Sequence, residues 1–186
     1  MPALATTKKL IILADGENLV FRFQEMLSTR QVGQNVVHIP DLFVWNENVG
    51  FEREWHTMRV NYYMSAVAAD DGIEEIESQI SKQRVIRMGG PQGQICPRIF
   101  KKDSKSKKSR LVDISIAIDA LRHSFQRDVD AVLLLSGDGD YLPLIKEIMR
   151  NGTQAWLGAF SSGLNPKLRS AVDHFIDLDW MFFKPI

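Results

Sequence analysis

The sequence contains a single cysteine, Cys96, among its 186 residues. One cysteine excludes an intramolecular disulfide framework and a zinc cluster built on thiolates of one chain. The sequence also has no apolar run near the length of about 18 residues that a membrane helix needs, and no apolar N-terminal core typical of a secretory signal. These absences predict a protein that spans no membrane, is not exported and lies in the reducing cytoplasm.

Net charge is also absent, because 23 Lys and Arg residues balance 23 Asp and Glu residues. Such a chain has no overall field that attracts nucleic acid, so any attraction must come from a local patch. One basic loop, residues 101–110, contains Lys101, Lys102, Lys105, Lys107, Lys108 and Arg110. A charged loop of this kind is either simply solvated or binds a phosphate backbone. Its position directly before an acid-bearing helix favours RNA binding.

Strand and helix patterns alternate along the chain, which predicts an α/β protein with a mostly parallel sheet. The length and the 45% hydrophobic content fit a single domain over residues 1–186. Aromatic residues without a steady period predict an irregular or hairpin-like insertion near residues 30–55. The expected strands cover 9–14, 58–63, 84–88, 94–100, 131–135, 154–159 and 174–178. The expected helices follow the first strand to about 27 and cover 73–81, 111–125, 141–149 and 165–171.

Two of the predicted strands run directly into acidic residues. The uninterrupted apolar run 131–135 is followed by Asp138 and Asp140, and the run 10–14 is followed by Asp15. Parallel strands buried on both faces have this pattern, and open parallel sheets place their ligand sites at the carboxyl ends of the strands. The sequence therefore predicts that these acids meet at one edge of the sheet, as in a metal-dependent site.

A further acid comes from the helix predicted over residues 111–125. On a helical wheel its apolar face contains Asp113 together with Ile114, Ala117, Ile118, Ala120, Leu121 and Phe125. A carboxylate directed towards a core is costly unless it is paired, hydrogen-bonded or bound to a cation. Asp113 is therefore a candidate site residue, whereas Asp119 falls on the polar side and ranks below it.

Three segments, in this order along the chain, carry a resemblance to a known family. They are Asp15-Gly16-Glu17-Asn18, Arg110-Leu111-Val112-Asp113 with Asp119, and Ser136-Gly137-Asp138-Gly139-Asp140-Tyr141. The chain resembles the NYN domain family, most closely its LabA-like branch, with Arg110-Leu111 where that family commonly has Lys-Gly. The resemblance implies a PIN-like, Rossmannoid three-layer α/β/α sandwich, acids that bind Mg²⁺ or Mn²⁺, and cleavage of RNA.

The residue types in these segments suit this chemistry. Hard divalent cations prefer oxygen ligands, so we expect Asp15, Asp113 and Asp138 to hold the ion, with Asp140 as a fourth acid or as the group that orients water. Such an ion activates water in phosphodiester hydrolysis, so no Ser or Cys nucleophile is needed. The supporting residues, which include candidates for hydrogen bonds to a ligand carboxylate or to the phosphate, are Asn18, Ser136 and Asp119.

Each acid also has a purely structural interpretation. Asp15 could belong to an ordinary turn before a helix, Asp138 to an Asx-turn and Asp140 to a helix N-cap. Asp113 could have a capping role in the first turn of its helix. That all four interpretations hold together is a stronger requirement than that any one of them does.

Three functions follow as hypotheses. The leading one is a metal-dependent endoribonuclease acting on single-stranded RNA, and a non-catalytic RNA-binding or regulatory module of the same fold is the alternative. A phosphatase of the haloacid dehalogenase type is the third, but its Asp-x-Asp pair is replaced here by Asp15-Gly16-Glu17. Tyr62 and Tyr63 either stack on RNA bases or belong to the core. A homo-oligomer is left open.

Overall fold

The structure, a computed structural model of the chain, describes residues 7–86, 93–102 and 110–185. Its strands are β1 Lys8–Asp15, β2 Val36–Ile39, β3 Phe43–Asn46, β4 Trp55–Ala66, β5 Arg84–Val85, β6 Gly93–Lys101, β7 Ala131–Leu135, β8 Gln154–Ala159 and β9 His174–Asp177. Its helices are α1 Gly16–Met26, α2 Asp70–Ser81, α3 Leu111–Gln126, α4 Leu142–Arg150, α5 Pro166–Ala171 and α6 Asp179–Phe182. None of the helices in these ranges is long and apolar enough to cross a membrane.

Seven strands form one sheet in the order β5-β6-β4-β1-β7-β8-β9. The short pair β5 and β6 is antiparallel, and the other neighbours are parallel. From β1 the chain moves outward through β4 to β6, and then returns to the other side of β1 for β7, β8 and β9. The strand order therefore reverses between β1 and β7. In doubly wound sheets, the carboxyl ends of the strands at such a reversal form the ligand-binding crevice.

Helices cover both faces of this sheet. Leu10 and Ile12 of β1 pack on one face with α1, whereas Ile11 and Leu13 pack on the other face with α3 and α4. Successive side chains of a strand point to opposite faces, so β1 is buried on both sides. The predicted α/β class and the three-layer α/β/α sandwich are confirmed.

The hairpin of β2 and β3 lies within the segment predicted as an irregular or hairpin-like insertion. Its side chains Phe43 and Trp45 are buried against the α1 face of the sheet. The Phe43 ring centroid lies 4.8 Å from that of Tyr62 in β4. Tyr62 and Tyr63 are both buried, so the interpretation that they stack on RNA bases is wrong and the core interpretation holds.

The orientation of α3 differs from the prediction. The buried residues of α3 are Val112, Ile116, Ala120 and Ser124. Three residues predicted to lie on its core face are at least half exposed: Ile114, Ile118 and Phe125. Asp113, in the first turn of α3, is half-buried. The prediction failed because α3 carries more apolar residues than the stripe facing the sheet can cover, and a wheel does not show which of them meet the strands.

Candidate active site

Strand β1 ends at Asp15, at the base of the crevice. The Asp15 Oδ1 atom accepts the backbone N–H of Asn18 at 3.1 Å, which makes Asp15 the N-cap of α1. Its Oδ2 atom accepts the hydroxyl of Ser136, the residue after β7, at 3.0 Å. The Asn18 side chain in turn accepts the backbone N–H of Gly137 at 3.0 Å. Asp15 thus caps a helix and also joins two adjacent strand ends.

Gly16, the first residue of α1, leaves no room for a side chain. A Cβ atom at Gly16 would overlap the Tyr62 ring and lie 2.7 Å from the backbone oxygen of Tyr63. Glycine therefore allows α1 to begin directly against β4. This close approach keeps the neighbouring acids Asp15 and Glu17 at the crevice.

The hydroxyl of Tyr141 links the acids of β1 and α3. It donates to Asp113 Oδ1 at 3.1 Å and lies 3.5 Å from Asp15 Oδ2. Tyr141 is buried at the end of the 3₁₀ turn Gly139–Tyr141 that follows β7. Burial and the negative charges of Asp15 and Asp113 raise the pKa of this phenol above its usual range. Tyr141 therefore remains a hydrogen-bond donor to the acids.

The environment of Asp15 disfavours its charged form. Burial raises the pKa of Asp15 to about 7, and the charges of Asp113 and Glu17 add to this effect. The hydrogen bonds from Asn18 and Ser136 act in the opposite direction but do not cancel it. An acid with a strongly raised pKa in a cleft is typical of functional sites. A bound cation would reverse the effect, because it favours the ionised carboxylate.

Asp138 follows β7 and lies in the wall of the same cleft as Asp15 and Asp113. Its backbone N–H donates to the hydroxyl of Ser136 at 3.2 Å, and its Oδ1 atom accepts the backbone N–H of Asp140 at 3.0 Å. The Asx-turn interpretation of Asp138 therefore holds alongside its position at the cleft.

Asp140 is exposed, beside the Asp138 turn. The residue at the N-cap position of α4 is Tyr141, so the interpretation of Asp140 as that cap is wrong. Asp140 lies in the wall of a second cleft, which it shares with Asp113 and Asp138.

Asp119 lies apart from the other predicted acids. Its carboxylate accepts the buried hydroxyl of Tyr63 at 2.6 Å and the guanidinium of Arg122 at 3.0 Å. It lines neither of the two clefts that contain Asp113. These contacts show a structural role for Asp119, which provides the hydrogen-bond acceptor that the buried hydroxyl of Tyr63 needs.

The larger cleft has a volume of about 740 Å³, and its wall includes Asp15, Glu17, Phe21, Leu42, Val67 and Lys102. Glu17, in the first turn of α1, accepts the hydroxyl of Ser65 and the ammonium of Lys102, the latter at 3.3 Å. Lys102 follows β6, so the pairing of β6 with β4 brings this positive charge to the site. By contrast, the ammonium of Lys101 pairs with Asp70 at the surface, at 2.6 Å.

Neither Lys101 nor Arg110 of the predicted basic loop lines the larger cleft. Arg110 is exposed immediately before α3. Lys105, Lys107 and Lys108 lie outside the described residues.

Tyr141 and Glu17 lie at the site although the sequence patterns alone predict no role for either. Both belong to the acidic segments at the ends of β1 and β7. Their closeness in sequence to Asp15 and Asp138 is the feature that could have indicated a place at the site.

A divalent cation needs several oxygen ligands, and the acids of the cleft supply some of them. Within residues 7–86, 93–102 and 110–185, no three His, Cys, Asp or Glu side chains are arranged to hold a metal ion by themselves. The acids instead form a pair, Asp15 and Asp113, at one tyrosine hydroxyl, with Asp138 in the same cleft. Mg²⁺ usually takes one or two carboxylates and completes its shell with water. These oxygen donors therefore fit a divalent ion held by a few acids and water molecules.

A mostly parallel sheet between helices, with acids from three elements at its reversal point, defines a PIN-like α/β protein. The family model of the NYN domain matches residues 9–179. The chain belongs to the NYN domain family. NYN domains are generally ribonucleases that act on RNA and typically use divalent metal ions. The match does not distinguish branches of the family, so the LabA-like branch stays a prediction.

Among solved structures, a protein of unknown function from Vibrio parahaemolyticus aligns with a TM-score of 0.63 and 23% sequence identity. The alignment covers 99% of this chain and 100% of that one, and it shows a shared fold. A putative oxidoreductase from Parabacteroides merdae aligns over 92% of this chain and 31% of its own, with 10% identity and a TM-score of 0.32. That score is too low to support an argument. No curated protein matches the chain.

Proposed function

We propose that this protein is a metal-dependent endoribonuclease that hydrolyses phosphodiester bonds of single-stranded RNA. The observation that carries the proposal is the position of Asp15 and Asp113, from β1 and α3, at the single hydroxyl of Tyr141. The charge of Asp113 helps to raise the pKa of Asp15, and a cation bound at both carboxylates would favour their ionised forms. Membership of a family of ribonucleases supports RNA as the substrate.

Asp15 and Asp113 would hold Mg²⁺ or Mn²⁺, with Asp138 in direct or water-mediated contact. When bound, such an ion supplies positive charge that stabilises the phosphate and the leaving oxygen during hydrolysis. The hydroxyl of Ser136 and the backbone N–H of Asn18 fix the Asp15 carboxylate in one orientation, at 3.0 and 3.1 Å. Such supporting hydrogen bonds keep a ligand carboxylate in place.

Three further side chains have roles in the proposed reaction. Tyr141 keeps its proton and holds Asp113 beside Asp15. Asp140 is exposed next to the Asp138 turn and would orient a water molecule. Lys102, in the wall of the larger cleft, provides a positive charge for the RNA phosphate.

The test is cleavage of a labelled single-stranded RNA by the purified protein with Mn²⁺ or Mg²⁺, with and without a chelator. Asp113→Asn and Asp138→Asn are each expected to abolish cleavage, while the circular dichroism spectrum stays that of the folded protein. The matched control is Asp71→Asn, because Asp71 is an exposed aspartate on α2 that accepts the N–H of Gly72. This variant is expected to cleave normally.

Other outcomes of this test point to the alternatives. Full cleavage by both acid variants, or cleavage that a chelator does not reduce, contradicts the proposal. RNA binding without turnover indicates a non-catalytic module of the same fold. Hydrolysis of p-nitrophenyl phosphate without RNA cleavage indicates a phosphatase.

A further inference from the structure

Two clefts meet at the same acids. The smaller cleft, of about 410 Å³, lies between α3 and α4 with Ile114, Tyr141 and Pro143 in its wall. Asp113 and Asp138 belong to the walls of both clefts. An RNA strand with one phosphate at these acids can therefore place the nucleotide on one side of that phosphate in the larger cleft and the nucleotide on the other side in the smaller cleft.

The larger cleft combines charged groups with apolar surface. Asp113 and Lys102 lie in its wall, and the same wall contains Phe21, which is 62% exposed, and Val67, which is 47% exposed. Single exposed apolar residues are ordinary on a protein surface, but a group of them in one cleft beside charged residues is typical of a binding site. The negative phosphate of a nucleotide is complementary to the ammonium of Lys102 in this wall. Its base is complementary to the apolar surface of Phe21 and Val67.

The ring of Phe21 is held from one side. The guanidinium carbon of Arg22 lies 5.0 Å from the ring centroid, and Arg22 is itself paired with Glu25 at 3.1 Å. Most of the Phe21 side chain remains exposed in this arrangement. Aromatic rings with neighbouring arginines are the surfaces on which proteins stack unpaired bases.

We propose that the larger cleft is a nucleobase subsite in which the base next to the phosphate at Asp113 and Asp138 stacks on Phe21. This inference rests on the proposed function. It adds Phe21 as a residue that binds the RNA, and it explains why the protein would bind single-stranded RNA and not a duplex. Every base has a π-face, so stacking tolerates any sequence, but it requires a base that is not paired within a duplex. The subsite therefore selects single strands without selecting a sequence.

The experiment measures the binding of an end-labelled single-stranded RNA of mixed sequence by fluorescence anisotropy, in chelator so that the strand stays intact. Phe21→Ala is expected to weaken binding by about 5- to 150-fold, which corresponds to about 1 to 3 kcal/mol for one stacked base. Phe21→Trp is expected to bind as well as the unchanged protein, because it keeps an aromatic face. The matched control is Phe125→Ala, because Phe125 is 61% exposed on α3 and lines neither cleft.

A second titration assigns the effect to one base. Strands with a single abasic nucleotide at successive positions are bound to the unchanged protein and to Phe21→Ala. At one position, loss of the base is expected to weaken binding to the unchanged protein but not to the variant. Equal affinities of the unchanged protein and Phe21→Ala, or an equal loss with Phe125→Ala, overturn the subsite. If Phe21→Ala does not fold, Phe21→Leu keeps most of the volume without the π-face and the same direction of change is expected.

Failure of the subsite can be told apart from failure of the proposed function. If Phe21→Ala binds normally while the unchanged protein still cuts RNA with Mn²⁺, the subsite is wrong and the nuclease proposal stands. If the unchanged protein neither binds nor cuts RNA, both proposals are wrong.

Discussion

Tyr141 donates its hydroxyl to Asp113 at 3.1 Å, although the two residues are 28 positions apart and lie on different elements. The same oxygen lies 3.5 Å from Asp15. One neutral donor thus lies between two acids and brings no charge to offset theirs. In the proposed function, a divalent cation binds at these two acids.

We expect Tyr141→Phe to slow RNA cleavage by about tenfold without abolishing it, which corresponds to about 1.4 kcal/mol of transition-state stabilisation. The substitution keeps the ring and removes the donor that holds Asp113 beside Asp15. The measurement is the cleavage rate with saturating Mn²⁺. The matched control is Tyr62→Phe, because Tyr62 is also buried and its hydroxyl accepts the backbone N–H of Val44. It is expected to lose stability but not activity, and an equal loss of activity in both variants would contradict the assigned role of Tyr141.

The second prediction concerns stability and pH in the metal-free protein. The pKa of an ordinary aspartate is 3.8, and burial raises the pKa of Asp15 to about 7 in the folded protein. Between these values the folded state binds the proton more tightly than the unfolded state, so the free energy of unfolding falls as the pH rises. This contribution of Asp15 is fully present below 3.8 and is lost as the pH passes about 7.

Asp15→Asn removes this titration and keeps an N-cap, because Asn caps helices as well as Asp does. Above about pH 7 in chelator, we expect the variant to be more stable than the unchanged protein, by at most about 4 kcal/mol. The difference should shrink as the pH falls towards 3.8. Urea unfolding across this pH range provides the measurement. A variant that is equally or less stable at every pH would show that Asp15 carries no unfavourable charge.

The third prediction separates two neighbouring lysines. Lys102 lies in the wall of the larger cleft, whereas Lys101 forms an exposed ion pair with Asp70. Lys102→Met is expected to weaken RNA binding and to lower the slope of its salt dependence by about 1, because one phosphate contact is lost. Lys101→Met is expected to change both quantities less. Binding titrations at several salt concentrations measure this, and equal slopes for the two variants would place Lys102 away from the RNA.

The fourth prediction tests the orientation of α3. Ile116 is fully buried and Ile118 is 51% exposed on the same helix. Ile116→Ala is expected to lower the free energy of unfolding by about 2 to 5 kcal/mol, because it leaves a cavity in the core. Ile118→Ala should change it by less than about 0.5 kcal/mol, as at most surface positions. Chemical denaturation gives both values, and a larger loss for Ile118→Ala would support the orientation expected from the wheel.

The strands of the sheet could be predicted because burial on both faces leaves a plain sequence pattern. Strands β7 and β8 have the predicted bounds, and β1 differs from its prediction by one residue at each end. Uninterrupted apolar runs that end at turn residues are sufficient for this. The parallel arrangement then follows from the alternation with helices.

Other parts of the fold depend on contacts that a local pattern does not contain. The short helix α6 was missed, and its Phe182 is buried with Phe23 and Phe160 against the sheet. Likewise Trp45 is buried in β3 only through packing between the hairpin and the sheet. A short segment with irregular aromatic spacing gains its structure from such packing, so its own sequence does not indicate the outcome.

The candidate site divides in the same way. Asp15 ends β1 and Asp138 follows β7, and these strands pair in parallel, so the presence of both acids at one edge could be inferred from the parallel sheet that the sequence predicts. The position of Tyr141 depends on a 3₁₀ turn after β7, and that of Lys102 on the pairing of β6 with β4. Neither the 3₁₀ turn nor the pairing of these two strands is indicated by a sequence pattern of its own. Asp113 was predicted from its place on an apolar helix face, and it reaches the site half-buried from the first turn of α3.

The central claim is that Asp15 and Asp113 form a cation site. Its most direct test is a Mn²⁺ titration followed by electron paramagnetic resonance, in which the signal of free Mn²⁺ decreases as the ion binds to the protein. The unchanged protein and Asp71→Asn are expected to bind the ion with the same affinity. Asp15→Asn and Asp113→Asn are each expected to weaken binding by tenfold or more, or about 1.4 kcal/mol and above. If neither substitution changes the affinity, or if the unchanged protein binds no Mn²⁺, the two acids do not form a cation site and the account is contradicted.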